Sequence, residues 1–160
     1  MPFFSIVIPL YNKANFILAT LKSVSDQTFE NYEIIIINDG STDASLSKVE
    51  ALKLPKLSIH TQENTGLSAA RNRGVALAKG QYIALLDADD IWKPSYLKSM
   101  FNLIENYPNH QIFGCSYKES RNGRLLDIHT SFEAQPNQTS YVLEDFFSAN
   151  YKCCNFTQIS

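Results

Sequence analysis

Four consecutive isoleucines, Ile34-Ile35-Ile36-Ile37, stand between Tyr32-Glu33 and Asn38-Asp39. Side chains alternate between the two faces of a strand, so this run puts β-branched apolar groups on both. Only a strand covered on both sides accommodates that, which is the situation of a central strand in a parallel sheet flanked by helices. A strand is predicted from Tyr32 to Ile37.

Around it, apolar runs of strand length alternate with helical patterns in the order β-α-β-α-β-α-β-α-β. This argues for an α/β chain with a mostly parallel sheet. Further strands are predicted at Ser5 to Pro9, Leu57 to His60, Gln81 to Leu86 and Ile112 to Tyr117. Pro9 is read as the end of the first, because proline cannot donate to a central ladder. A first helix from about Ala14 has Ile17, Leu18, Leu21 and Val24 as its apolar positions, with Lys13, Lys22 and Asp26 toward water. A second runs from Thr42 to Leu52. A third, Ser68 to Lys79 with Gly80 as its stop, carries small residues that permit close approach to a sheet. Its packing face is read as Leu67, Ala70, Gly74 and Leu77. A fourth spans Ser95 to Tyr107. Beyond Lys118 the pattern loosens, with Asn122-Gly123 as a hairpin turn and Tyr141 to Asn150 as a helix.

Composition narrows the function. With 160 residues, 44% hydrophobic and 19% charged, the chain can bury one ordinary core. Its formal net charge of -2 and scattered basic residues disfavour nucleic-acid binding. Cys115, Cys153 and Cys154 lack C-x-x-C spacing, and His60, His110 and His129 are dispersed, so they read as reduced cysteines and surface histidines rather than a zinc site. Met1-Pro2-Phe3-Phe4-Ser5 has no basic n-region, and the apolar strand it enters is too short for a signal peptide or membrane anchor. A cytosolic location is therefore expected.

The chemistry-bearing segment is Ala84-Leu85-Leu86-Asp87-Ala88-Asp89-Asp90, a strand running into acidic residues. Side chains at i and i+2 of an extended segment point the same way, so Asp87 and Asp89 can address one ligand. Hard oxygens suit Mg²⁺ or Mn²⁺, cations held by one or two carboxylates together with substrate phosphates. A plain strand-to-helix turn, with Asp89 or Asp90 capping a helix that begins near Pro94, accounts for the same residues.

In such sheets ligands bind outside the carboxyl ends of the strands, where strand order reverses. Leu10-Tyr11-Asn12, Asn38-Asp39-Gly40-Ser41-Thr42-Asp43 and Gln62-Glu63-Asn64-Thr65-Gly66-Leu67-Ser68 share that edge with Asp87. Asp39 can accept from a base N–H or from ribose hydroxyls, or it can shape a turn. Tyr11 can stack on a base or simply lie exposed. Arg71 and Arg73 stand in a helix whose N-terminus offers N–H groups to a phosphate, and Arg71 lies beside the packing face while Arg73 reads as solvent-facing. Trp92 and Tyr96 either touch substrate or close the local core.

Together Ser5 to Asn12, Glu33 to Asp43, Asn64 to Gly74 with its N-x-G-x-x-x-A-R-N pattern, and Leu86 to Asp90 resemble family 2 glycosyltransferases. Four motifs in order, over about residues 4 to 117, carry the likeness. It implies a GT-A type, Rossmann-like fold, with residues 1–117 as a nucleotide-sugar-binding core and 118–160 as the incomplete start of an acceptor-side region. By the resemblance, Asp39 reads the nucleobase and Arg71 lies near the nucleotide. Asp87 and Asp89 engage the ribose and the metal-bound diphosphate. Pro9, Tyr11, Asn64, Gly66 and Ala88 complete the implied donor site.

The implied reaction is inverting transfer from a nucleotide-activated sugar, often a UDP-sugar, to a hydroxyl of a carbohydrate, lipid-linked or protein acceptor. Its general base normally follows the D-x-D in the acceptor half. Here the chain ends at Ser160 before a convincing equivalent, so it reads as the donor-binding portion of a longer enzyme. Glu144-Asp145 reads as helix surface, and apolar surface left open by the missing part favours self-association. Two rival classes remain. One is a non-catalytic nucleotide-sugar-binding module carrying the same motifs. The other is a phosphate-handling α/β protein, against which stand Ile91 in place of the Thr of D-x-D-x-T and the lack of a Walker A loop, a G-x-G-x-x-G or a glycine-rich N-terminal loop.

Overall fold

The structure, a computed structural model, describes residues 1–115, 118–121, 124–127 and 155–159. Strands β1 (Phe4–Leu10), β2 (Tyr32–Asp39), β3 (Leu57–Gln62) and β4 (Tyr82–Leu85) form a parallel sheet. Helices α1 (Ile17–Ser25), α2 (Ser45–Glu50) and α3 (Leu67–Leu77) connect them, and α4 (Tyr96–Asn106) leads from β4 to β5 (Ile112–Cys115). Strand β8 (Asn155–Ile159) lies antiparallel between β4 and β5, giving the order β3-β2-β1-β4-β8-β5. Strands β6 (Lys118–Arg121) and β7 (Arg124–Asp127) pair separately, with Arg121 opposite Arg124. That register is the hairpin read from the sequence, although Asn122 and Gly123 lie outside the described residues, as do the helix expected at Tyr141 to Asn150 and Glu144-Asp145.

The isoleucine run behaves as its two-faced pattern requires. Ile34 and Ile36 join the larger core with Ile17, Leu21, Val49 and Leu97, contributed by α1, α2 and α4. Ile35 and Ile37 point the other way, onto Ala70 of α3. The sheet is thus covered on both faces. A Cβ on Gly74 would lie 2.2 Å from Val7 Cγ1, so glycine there lets α3 seat directly on β1.

Several expectations shift. Pro9 does not end β1, which continues to Leu10 against β2; the β4 ladder stops at Val7 opposite Leu85, before the missing proline N–H matters. Leu18, Leu67 and Leu77 are exposed rather than packed, because Ala70 and Gly74 alone bring α3 close enough to exclude longer neighbours. Helix α3 ends at Leu77, where Ala78 turns extended, so Gly80 is not its stop. Helix α4 takes Ser95 as its N-cap residue, and neither Asp89 nor Asp90 caps it. Trp92 and Tyr96 are buried and stacked 4.2 Å apart, closing the local core. Cys115 is half-buried, and so are His60 and His110 rather than lying on the surface. No helix among the described residues is long and apolar enough to cross a membrane.

Candidate functional site

Strand order reverses between β1 and β4, and the carboxyl ends of the parallel strands open there onto a cleft of about 430 Å³. Such switch points are where open α/β sheets take ligands. Pro9 and Tyr11 line the cleft after β1, and Asp39 at the end of β2. Asn64 and Gly66 reach it from the β3–α3 loop, and Asp87, Ala88 and Asp89 from the loop after β4. Arg71 stands behind this lining and reaches it through Asp87.

The loops after β1 and β2 lock together. Asn12 takes a left-handed φ of 50° and accepts hydrogen bonds from the Thr42 and Asp43 N–H groups at 2.8 and 3.3 Å. Asp43 accepts from Ala14 N–H at 3.0 Å, and Ser45 Oγ accepts from Lys13 N–H at 2.8 Å. Hydrogen bonding from Ser45 holds the Asp43 carboxyl below its ordinary value. Tyr11, half exposed between these anchors, is held at the rim of the cleft.

Asp39, only 3% exposed, does not shape its own turn. It crosses to the β3–α3 loop, where Oδ1 accepts from Thr65 N–H at 2.9 Å and Gln62 Nε2 at 2.7 Å, and Oδ2 from Gly66 N–H at 2.8 Å. Burial raises this carboxyl's pKa, but the bonds from Thr65, Gln62 and Gly66 together outweigh it and keep the pKa below the usual value. Gly66 has φ 91°, a conformation that a side chain would strain, and it leads directly into α3.

The acidic pair meets in a way that an extended strand does not provide. Strand β4 ends at Leu85, and Asp90 N–H donates to Asp87 C=O at 3.0 Å, closing a turn over Ala88 and Asp89. The turn brings both carboxylates to the cleft, each beside a cation. Arg71 Nη2 lies 2.6 Å from Asp87 Oδ1, and Lys13 Nζ lies 2.5 Å from Asp89 Oδ2. Lys13 therefore faces the site, not open water. Arg73 turns away, donating to Thr61 C=O at 2.9 Å.

Sequence reasoning missed Lys13 and a second set of residues that hold the acidic loop. Thr20 Oγ1 donates to Ala88 C=O at 2.9 Å, and Ser23 Oγ accepts from Trp92 N–H at 3.2 Å. Gln27 Nε2 donates to Lys93 C=O at 2.7 Å while its Oε1 accepts from Leu97 N–H at 2.9 Å. All three side chains are buried. Their spacing was the available signal: polar residues recur at helical intervals beside Leu21 and Val24, on a face that should be apolar.

Residues 5–159 match the family described as Glycosyl transferase family 2. The chain belongs to that family. Among relatives of this family 2 chain, the putative glycosyltransferase EpsH of Bacillus subtilis is 33% identical over 86% of this chain and 41% of its own length. Glycosyltransferase GlyA of Streptococcus pneumoniae is 33% identical over 78% of this chain and 18% of its own. The chain thus spans 18% to 41% of the length of these relatives. TarS of S. aureus, residues 1-349 in complex with UDP-GlcNAc, superposes with TM-score 0.69 and 27% identity over 78% of this chain and 36% of that one. The Pyrobaculum calidifontis mannosyltransferase PcManGT, in complex with GDP-Man and Mn²⁺, gives TM-score 0.66 at 24% identity over 71% and 35%. The fold of this family 2 chain is of the GT-A type.

Proposed function

We propose that residues 1–117 form the donor half of a glycosyltransferase that moves a sugar from a nucleotide diphosphate sugar to an acceptor hydroxyl with inversion. The product belongs to polysaccharide or glycoconjugate synthesis. The observation that carries this reading is the D-x-D pair facing Asp39 across one cleft at the switch point of a family 2 chain. In solved structures TarS holds UDP-GlcNAc or UDP.

Each side chain has work in this reading. Tyr11 offers its ring to the base. Asp39 already spends Oδ1 on Thr65 and Gln62, while Oδ2 carries a single donor, Gly66 N–H. A carboxylate has about four acceptor positions, so one remains on Oδ2. That suits the single imide N–H of uracil better than guanine, whose two adjacent donors want both oxygens. A UDP-sugar is therefore the proposed donor. Lys13, Arg71 and the N-terminus of α3 supply positive potential for the diphosphate. The acceptor-side base, which fixes the in-line geometry by taking the hydroxyl proton, is assigned outside residues 1–117.

The donor set fits a divalent cation. Asp87 and Asp89 are hard oxygen ligands, each with one oxygen not engaged by its cation. No group of three or more His, Cys, Asp or Glu residues forms a metal site among the described residues, so diphosphate oxygens would complete the coordination. When bound, Mg²⁺ or Mn²⁺ supplies Lewis-acid stabilisation of the leaving diphosphate.

Calorimetric titration of UDP and GDP into the chain, first with Mn²⁺ and then with a chelator, tests the reading. UDP binding that chelation abolishes supports it. Preference for GDP overturns the uridine assignment, and failure of a folded sample to bind either nucleotide overturns the donor site. Binding by the complete protein without sugar transfer to any acceptor leaves a non-catalytic sugar-nucleotide module.

A further inference from the structure

We propose that Lys13 is a tethered counterion that competes with the divalent cation for Asp89 and releases the carboxylate when a nucleoside diphosphate arrives to receive the ammonium. The inference rests on the reading of Asp89 as a metal ligand.

Lys13 is well built for such an exchange. Its backbone is pinned, with its N–H donating to Ser45 Oγ at 2.8 Å and its C=O accepting from Phe16 and Ile17 N–H at 2.9 and 3.0 Å. Only the side chain is left to move. It bridges to a residue 76 positions away, and both partners are a little over a third exposed, at 38% and 39%. An ion pair that wet holds by a few-fold in equilibrium constant at most, so a stronger ligand can exchange it. A lysine ammonium is also a compact point charge on a flexible stem. The Arg71–Asp87 pair is almost as exposed, at 33% and 37%, and the difference lies in the cation. A guanidinium is planar and held along its length, with Nε buried, whereas the lysine ammonium is a point charge on a flexible stem. Asp89 is thus the more readily exchanged carboxylate.

Charge balance gives the order of events. Asp87 and Asp89 carry two negative charges, and Arg71 and Lys13 two positive ones. A divalent cation entering alone meets a locally neutral pair of ion pairs, and to draw on Asp89 it competes with Nζ for the charge of that carboxylate. A diphosphate entering with it brings oxygens that both ligate the metal and accept the displaced ammonium. Lys13 therefore couples metal binding to nucleotide binding, and the coupling acts equally in both directions.

Mn²⁺ titrations of the whole chain, read by the electron paramagnetic resonance signal of free Mn²⁺ with and without UDP, test this. Lys13→Met is expected to tighten Mn²⁺ binding in the absence of nucleotide by about threefold to fivefold, the scale of an exposed ion pair. It should also shrink the further gain that UDP gives. Lys13→Arg, which retains the charge, should keep the weak metal-only affinity. Unchanged or weaker metal-only binding in Lys13→Met, with Asp89→Asn still abolishing it, overturns the counterion role and leaves the site reading standing. Wild-type Mn²⁺ affinity in Asp89→Asn, or no Mn²⁺ binding by any variant even with UDP, overturns both.

Discussion

Asp39 Oδ2 accepts a hydrogen bond from Gly66 N–H at 2.8 Å, joining the end of β2 to the residue that starts α3 across 27 positions of sequence. One carboxylate thereby sets the wall of the cleft and the angle at which the helix N-terminus enters it. The residue proposed to read the base is also the residue that builds the pocket for it.

Asp39→Ala should therefore lose more than a ligand contact. It removes the acceptor of the part-buried Thr65 and Gly66 N–H bonds, and a typical hydrogen bond of that kind contributes about 0.5–1.5 kcal/mol. Asp39→Asn keeps one acceptor oxygen and should lie between it and wild type. Thermal melts report the stability order, and UDP titration should show both variants weakened.

Acid should open the same loops. Asp39 and Asp43 both have folded pKa values held below their ordinary range. Groups of that kind contribute stability above their unfolded values, near 3.9, and the contribution fades as pH falls through the lower folded values. Amide protection factors, each referred to the intrinsic exchange rate at the same pH, should hold at Thr65, Gly66 and Ala14 at about pH 5 and fall below about pH 4. In Asp39→Asn the pH dependence at Thr65 and Gly66 should flatten.

The α3–β1 contact offers a packing test. Gly74→Ala places a methyl where Val7 Cγ1 would be 2.2 Å away, and overpacking of this kind costs about 1–3 kcal/mol. Val7→Ala alone should also destabilise by leaving a hole. Gly74→Ala combined with Val7→Ala should recover part of the sum, and urea unfolding of the four proteins measures that coupling.

Gln27 never reaches the cleft, yet it ties α1 to the chain after the acidic turn through Lys93 C=O and Leu97 N–H. Gln27→Ala should cost about 1–3 kcal/mol in urea unfolding. Hydrogen exchange should also quicken across residues 93–97. Equal protection in both proteins would remove Gln27 from any part in holding that loop.

Much of the fold was legible because its signals are local. The isoleucine run announced a doubly covered strand, and Ala70 and Gly74 announced the helix that lies against it. The limits of helix faces were less legible, since Leu18, Leu67 and Leu77 share helical spacing with buried residues yet stay exposed. Spacing says which residues lie on one side of a helix. It does not say how near the sheet comes.

The sequence alone determined that polar groups cluster at the carboxyl ends of apolar strands, since strand periodicity and the residues following each strand are properties of short segments. It thereby placed Tyr11, Asp39, Asn64, Gly66 and Asp87 on one edge. Only the tertiary structure decided which charges meet there. Setting β4 beside β1, not beside β3, brings Lys13 to Asp89, and seating α3 against β1 and β2 brings Arg71 to Asp87. Ion pairs over such separations depend on strand order and helix placement, and the physical reason is that these are settled by packing the whole core rather than by any segment's own preference.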